Sequence, residues 1–308
     1  MELWAAEGVG RGILLCLDLP TLEAALQFVR SSPELGGYLS DAALWTLLSR
    51  LHLGGPRSVE LAAEETAEEL QLQINTRPQA QDASNRTSAE RPNCLELQQF
   101  LQSLGDRRRF HEAVTVVQGD LQHVLDVAGR PLDGIVFPTN PHLTNHFVGA
   151  AAAVFRRAGP GLEQFVSGPA SRGARPISSA VVTPAFDAGV DRLVHCVGPS
   201  ISMLHCYELL DATYRNALGA VQHEGLHCVA MASVSTGSLG VSPELGGQVA
   251  MRAAQKFLVR SNWEGKIAFV CKEERVLKAF TDANNAVMGE FNVVPPLPDD
   301  EARGRWMD

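Results

Sequence analysis

The sequence predicts an α/β fold in which a mixed, mainly parallel sheet is covered by helices on both faces and preceded by an all-α module. Three observations predict it. From about residue 112, short β-branched runs alternate with longer helical stretches. Residues 1–74 show helical periodicity and no strand pattern. Between these regions, residues 75–93 contain no apolar side chain larger than Ala, too little to offset the entropy of ordering them, and read as a flexible linker.

In the N-terminal module, Leu22, Leu26 and Val29, with Phe28, recur at helical spacing after Pro20. A second helix is predicted after Ser40-Asp41, with Leu44, Leu47, Leu48 and Leu51 as its apolar positions. Leu61, Leu70 and Ile74 surround an acidic middle, where Glu64, Glu65, Glu68 and Glu69 read as a solvated helix face. Such a module is suited to a protein partner. Past the linker, residues 94–111 read as a connecting helix whose periodicity spans Leu95 to Leu104. Its basic knot, Arg107-Arg108-Arg109, is expected to complement the dipole of the helix's own C-terminus.

The strands expected next are Val114–Val117, Gly134–Phe137, Ser179–Val182, Arg192–Val197, Cys228–Met231 and Ile267–Val270. Helical stretches are expected at about 148–158, 204–223, 243–259 and 273–283. The segment 285–308, with Pro295-Pro296 and Asp299-Asp300-Glu301, reads as a flexible tail.

Composition narrows the function classes. The 308 residues carry 26 Lys and Arg against 35 Asp and Glu, a net charge of −9, which is the wrong sign for gripping a nucleic-acid backbone. No apolar run reaches the roughly 20 residues of a spanning helix, and Met1–Glu7 lacks a signal-peptide pattern, so an intracellular protein, cytoplasmic or nuclear, with no membrane role is expected. Six scattered cysteines form no C-x-x-C pair and are read as reduced and mostly buried.

In a sheet of this kind ligands bind in the loops beyond the strand C-termini, and three such loops stand out. The first is Ala232-Ser233-Val234-Ser235-Thr236-Gly237-Ser238-Leu239-Gly240-Val241-Ser242-Pro243, a small-residue turn before a helix capped by Ser242 with Pro243 at its first position. Small residues let backbone N–H groups approach an anion, although the loop lacks the Gly-Lys-Ser/Thr of a Walker A motif. The second, Phe137-Pro138-Thr139-Asn140-Pro141-His142-Leu143, puts an amide where it can bond a sugar hydroxyl; a turn-forming Asn is the alternative. The third, Gln118-Gly119-Asp120-Leu121, places an acid that either accepts from an exocyclic amine or caps the next turn.

Their order, with Arg156-Arg157-Ala158-Gly159 and Leu193-Val194-His195-Cys196-Val197-Gly198-Pro199 between them, resembles the macrodomain family over roughly residues 112–284. The resemblance implies a three-layer α/β/α macrodomain that binds ADP-ribose in a cleft at the sheet edge; no cofactor is expected, and no metal, because His142 and His146 stand at i, i+4 with no third ligand at recognisable spacing. It implies that Asp120 receives the adenine amine, with Leu121 supplying backbone contact. Asn140 is similar to the residue set against the distal ribose, with Val148 and Gly149 nearby, and Ser235, Thr236, Gly237, Ser238 and Leu239 resemble the loop that wraps the diphosphate.

Departures bear on catalysis. Where hydrolytic members carry a glycine run and then Val-Asp-Gly, this chain reads Thr144-Asn145-His146-Phe147-Val148-Gly149-Ala150-Ala151-Ala152, and Ala151 cannot orient a water. Pro138-Thr139-Asn140 and the missing glycines are closest in loop pattern to the macroH2A-type macrodomain, which resembles a binder. Cys271-Lys272 stands where many members carry a ring that stacks on adenine. The leading expectation is therefore a reader of ADP-ribose, free or attached to protein. The alternatives are a mono-ADP-ribosyl hydrolase with an atypical residue set, with His142 and His146 as candidate acid–base groups, and a degenerate scaffold in which Phe147 crowds the cleft.

Overall fold

The first strand to form a ladder, β1 (Val114–Gln118), continues directly from a helix, and its Thr and Val side chains suit a pleated surface. It belongs to the larger of two units in the computed structural model, which describes residues 8–32, 35–61 and 94–298. One unit takes the described residues up to Asp106 together with Gly289–Val294, and the other takes Arg107–Met288 with the described residues from Pro295 on. The linker at 75–93, the acidic face at 64–69 with Leu70 and Ile74, and residues 299–308 of the tail lie outside the described residues.

The N-terminal unit is helical. Helix α1 (Val9–Cys16) precedes α2 (Leu19–Ser31), where Asp18 accepts from Thr21 N and Pro20 sits in the first turn. Helix α3 (Ala42–Leu53) is capped by Asp41, which accepts from Leu44 N, and ends at Gly54 in the left-handed conformation. Trp45, rather than Leu47 or Leu51, fills the core from α3; it packs at 5.5 Å on Phe100 of α4 (Leu95–Ala113) and donates to Tyr38 O. Phe28, Leu47 and Leu51 are exposed, a correction to the expected apolar faces. Period alone cannot say which neighbouring row is the wider one.

Two further corrections concern helix ends. Helix α4 runs on to Ala113, so the three arginines do not mark its C-terminus. Arg107 Nε instead donates to Met288 O at the end of α9 (Glu274–Gly289), and Arg109 Nη2 to Ser261 O at the C-cap of α8 (Pro243–Arg260), carbonyls that have no partner within their own helices. The expected tail from 285 is helical to Gly289, after which Phe291 and Asn292 are buried; Asn292 Nδ2 donates to Gly55 O.

The α/β unit holds a six-stranded sheet in the order β1, β8 (Lys266–Cys271), β7 (Cys228–Ala232), β4 (Gly134–Thr139), β6 (Arg192–Val197), β5 (Ala180–Pro184). All neighbours are parallel except β5, which runs antiparallel to β6 at one edge. A small hairpin, β2 (Asp126–Val127) with β3 (Arg130–Pro131), precedes β4. Alternate residues of the central strands go to opposite faces. Ile135, Phe137, Leu193 and Ala230 form a core with Ala151, Val154 and Phe155 of α5 (Gly149–Ala158) and Leu162 of α6 (Pro160–Ser167). On the other face, Phe269 meets Tyr214 of α7 (Cys206–His223) and Phe280 of α9. The result is a three-layer α/β/α arrangement.

Asp133, just ahead of β4, accepts from His227 N and Cys228 N through its carboxylate and from Asp191 N and Arg192 N through its carbonyl. One residue thereby aligns the starts of β7 and β6 on either side of β4. The cysteines are free; Cys196, Cys206, Cys228 and Cys271 are buried, and Cys16 is exposed. Among the described residues no helix is long and apolar enough to cross a membrane.

Candidate ligand-binding site

Strand order places the candidate loops. From β4 the chain crosses to β5 at the sheet edge, comes back through β6 beside β4, then lays β7 on the opposite side of β4 and continues to β8. The direction reverses between β4 and β7, the position at which parallel sheets open a crevice beyond their C-terminal ends. The loops after β4 and β7 flank that reversal, and the loops after β1 and β8 lie on the same edge.

After β7, Tyr214 Oη accepts a 2.8 Å bond from Val234 N, so a buried side chain on α7 fixes the start of the loop. Burial pushes the Tyr214 phenol well above its ordinary range and keeps it protonated. Ser235 follows with φ 63°, a left-handed conformation, and its Oγ is buried without a hydrogen-bond partner. Thr236 donates to Ser233 Oγ at 2.7 Å, and Val241 N returns to Ser235 O. Gly237 and Ser238 are exposed and Leu239 is half-buried. Ser242 caps α8 by accepting from Leu245 N, with Pro243 in the first turn, as its sequence predicts. Gly198, after β6, is required here, because a Cβ on it would lie 2.5 Å from Ser235 Oγ and 2.5 Å from Val234 Cγ1.

After β4, the amide of Asn140 is engaged within its own loop: Oδ1 accepts from Thr144 N at 2.8 Å and Nδ2 meets Thr144 Oγ1 at 3.3 Å. Asn145, which sequence reasoning did not single out, organises the turn by accepting from Thr139 Oγ1 at 2.7 Å and Asn140 N at 3.1 Å. His142 is exposed in the turn, whereas His146 packs on Phe155 and places Nε2 3.4 Å from Glu163 Oε1. The two imidazoles are held differently and lie in a loop rather than on one helix face. Phe147 is 80% exposed against the His146 ring, so it does not crowd the loop as its sequence position suggests. Val148 and Gly149 open α5, which no side chain caps. Ala151 is buried in the core.

After β1, Asp120 Oδ1 accepts from Gln122 N at 3.0 Å and Oδ2 from Lys272 Nζ at 2.9 Å. The Gln122 N–H first, and the Lys272 ammonium next, hold the Asp120 carboxyl below its ordinary value. Leu121 is buried and its carbonyl accepts from Arg157 Nη1 at 2.9 Å. The same guanidinium reaches Val124 O and Ala188 O, while neighbouring Arg156 Nε donates to Gln122 Oε1. Helix α5 thus starts at the Asn140 loop and ends against the Asp120 loop.

Two open concavities lie elsewhere in this unit. One, of about 470 Å³, is lined by Phe186, Arg192 and Glu224; the other, of about 460 Å³, by Thr115, Val117 and His123. Neither is lined by Asn140 or Ser235. The strand-order reversal points instead to the loop after β7, which carries the buried, unpartnered hydroxyl of Ser235 ahead of the capped start of α8. Among the described residues no cluster of His, Cys, Asp and Glu suits a metal.

Comparison with known proteins gives consistent results. A family model described as Macro domain matches residues 136–250. The O-acetyl-ADP-ribose deacetylase of Cronobacter turicensis is 32% identical over 164 residues, 52% of this chain and 89% of that protein. The Oceanobacillus iheyensis macrodomain with ADP is similar in fold at TM-score 0.52 and 24% identity, over 57% of this chain and 91% of that one. A Trypanosoma brucei macrodomain in complex with ADP is similar at TM-score 0.50 and 20% identity, over 89% of this chain and 94% of that one.

Proposed function

The chain belongs to the macrodomain family, and on that premise we propose that it binds ADP-ribose, free or attached to protein, at the C-terminal edge of its parallel strands and acts as a reader. The observation that carries the reading is Ser235, whose buried Oγ lacks a partner in a small-residue loop leading into the N-terminus of α8. An anion arriving there would meet backbone N–H groups, the positive end of a helix and an unsatisfied hydroxyl. In this reading Ser235, Thr236, Gly237, Ser238 and Leu239 receive the diphosphate, Asn140 with Val148 and Gly149 the distal ribose, and Asp120 with Leu121 the adenine. No cofactor is needed.

A reader is favoured over a hydrolase because Ala151 offers no group for handling a proton or a water. Ester hydrolysis is the second reading, favoured by the deacetylase name of the 32%-identical relative; His146 beside Glu163 and exposed His142 would then be its acid–base groups. Calorimetric titration of the whole chain with ADP-ribose, with AMP and ADP as controls, tests binding. Incubation with O-acetyl-ADP-ribose and with an ADP-ribosylated protein tests turnover. Binding without product release supports the reader; release that disappears in a His142→Ala/His146→Ala double variant establishes the hydrolase; no binding at millimolar ligand rejects both in favour of a scaffold. The helical N-terminal module is proposed to carry a separate protein partner.

A further inference from the structure

We propose that Lys272 is an internal competitor for the base: it occupies on Asp120 the hydrogen bond that an exocyclic amine would take, so the site selects its ligand by ribose and diphosphate and tolerates exchange of the base. The inference rests on the ADP-ribose reading above and concerns which part of the ligand is recognised.

The pairing is built into the sheet. β1 and β8 are parallel neighbours with Gln118 opposite Cys271, and Gly119 N donates to Cys271 O at 3.0 Å. Asp120 follows Gly119 and Lys272 follows Cys271, each one residue beyond that bond and just past the strand ends, so their backbones are held close together. Asp120 is held by the Gln122 N–H and is mostly covered, its side chain 21% exposed, whereas that of Lys272 is 73% exposed. The carboxylate is therefore the fixed partner and the ammonium the movable one.

With Oδ1 engaged by Gln122 N, a base that donates to Oδ2 competes with this ammonium for the same oxygen. It exchanges one N–H···O contact for another, and the incoming donor is uncharged where the outgoing one was charged. An exposed ion pair shifts an equilibrium by roughly two- to fivefold, which is the size of the expected penalty. A base without the amine leaves the pair intact and avoids that penalty. The two kinds of ligand are thereby brought close in affinity.

The test is calorimetry on the full chain with ADP-ribose and with IDP-ribose, in which hypoxanthine carries a carbonyl in place of the amine. The wild-type chain is expected to bind the two within about threefold. Lys272→Met is expected to bind ADP-ribose about threefold more tightly and to open its preference over IDP-ribose to about tenfold, with an unchanged melting temperature. Lys272→Arg should keep the wild-type pattern. Weaker ADP-ribose binding by Lys272→Met would overturn the inference, because the lysine would then be assisting the base. So would a wild-type preference beyond about tenfold. If neither ligand binds to either protein, the ADP-ribose reading itself fails and this inference with it.

Discussion

Arg157 Nη1 donates to the carbonyl oxygen of Leu121 at 2.9 Å. This bond, with those to Val124 O and Ala188 O, makes a guanidinium in the last turn of α5 the support of the loop that carries Asp120. Burial lowers the pKa of Arg157, yet the group stays charged because an arginine begins so high.

Arg157→Gln should therefore lower stability by about 1–3 kcal/mol and weaken ADP-ribose binding by about tenfold, since buried carbonyls lose their donors and the loop loses its position. Arg157→Lys should rescue little, because an ammonium cannot fork to three carbonyls. Thermal melts and calorimetry on the same samples check both effects; unchanged affinity in Arg157→Gln would show that the loop holds itself.

His195 gives a pH dependence. Burial between Phe137 and Phe155, with Nε2 near Thr183 Oγ1, depresses its pKa from 6.5 to about 3. The folded state thus holds the ring neutral while the unfolded chain protonates it. Its contribution is fully present above about pH 6.5 and is lost as pH falls toward 3, amounting to about 2–3 kcal/mol by pH 4.5. Urea unfolding across that window should show the slope, and His195→Leu should flatten it.

Two glycines in the same region should respond oppositely. Gly237 has open space around its Cβ position, so Gly237→Glu should leave the melting temperature within about 1 °C while removing ADP-ribose binding by charge and bulk. Gly198→Ala drives a methyl into Ser235 and Val234 and should lose about 1–3 kcal/mol of stability together with binding. Loss of stability in Gly237→Glu would mean that the loop is more closely packed than its surroundings indicate.

Ser235 tests a trade-off between stability and binding. Ser235→Gly relieves a left-handed backbone and removes an unpartnered buried hydroxyl, so the unliganded chain should gain about 1 kcal/mol. Affinity for ADP-ribose should fall by about tenfold if the hydroxyl meets the diphosphate. A gain in stability with affinity intact would assign Ser235 to the fold alone.

Much of the architecture was legible because its signals are local. The β-branched runs at Val114–Val117 and Ile267–Val270 fall within the observed strands, and Ser242-Pro243 marks the start of α8. Elements with weak local signals were not legible. Helix α6 follows Gly159 immediately, where a glycine and a proline read as a stop, and the strands of the β2–β3 hairpin have only two residues each. The burial of Trp45 in place of Leu47 and Leu51 is hidden in the sequence because helical spacing does not rank adjacent rows. At the candidate site the loops themselves could be found, but their supports come from distant segments. Tyr214 on Val234, Arg157 on Leu121 and Lys272 on Asp120 are contacts between residues whose neighbours in sequence give no hint of the pairing.

The neighbouring positions of β1 and β8 also constrain the birth of the protein. The first strand of the α/β unit has the last strand as its sheet partner, and Asp120 meets a residue 152 positions later. At ordinary rates of translation, roughly 10–30 s separate the appearance of the two on a ribosome. For that interval β1 has no ladder to join, and for most of it Asp133 has no β7 amides to receive. A chain stopped short of β8 would keep an open edge on β7 and an unmatched β1, the kind of exposed strand that chaperones bind and that associates with other unfinished chains.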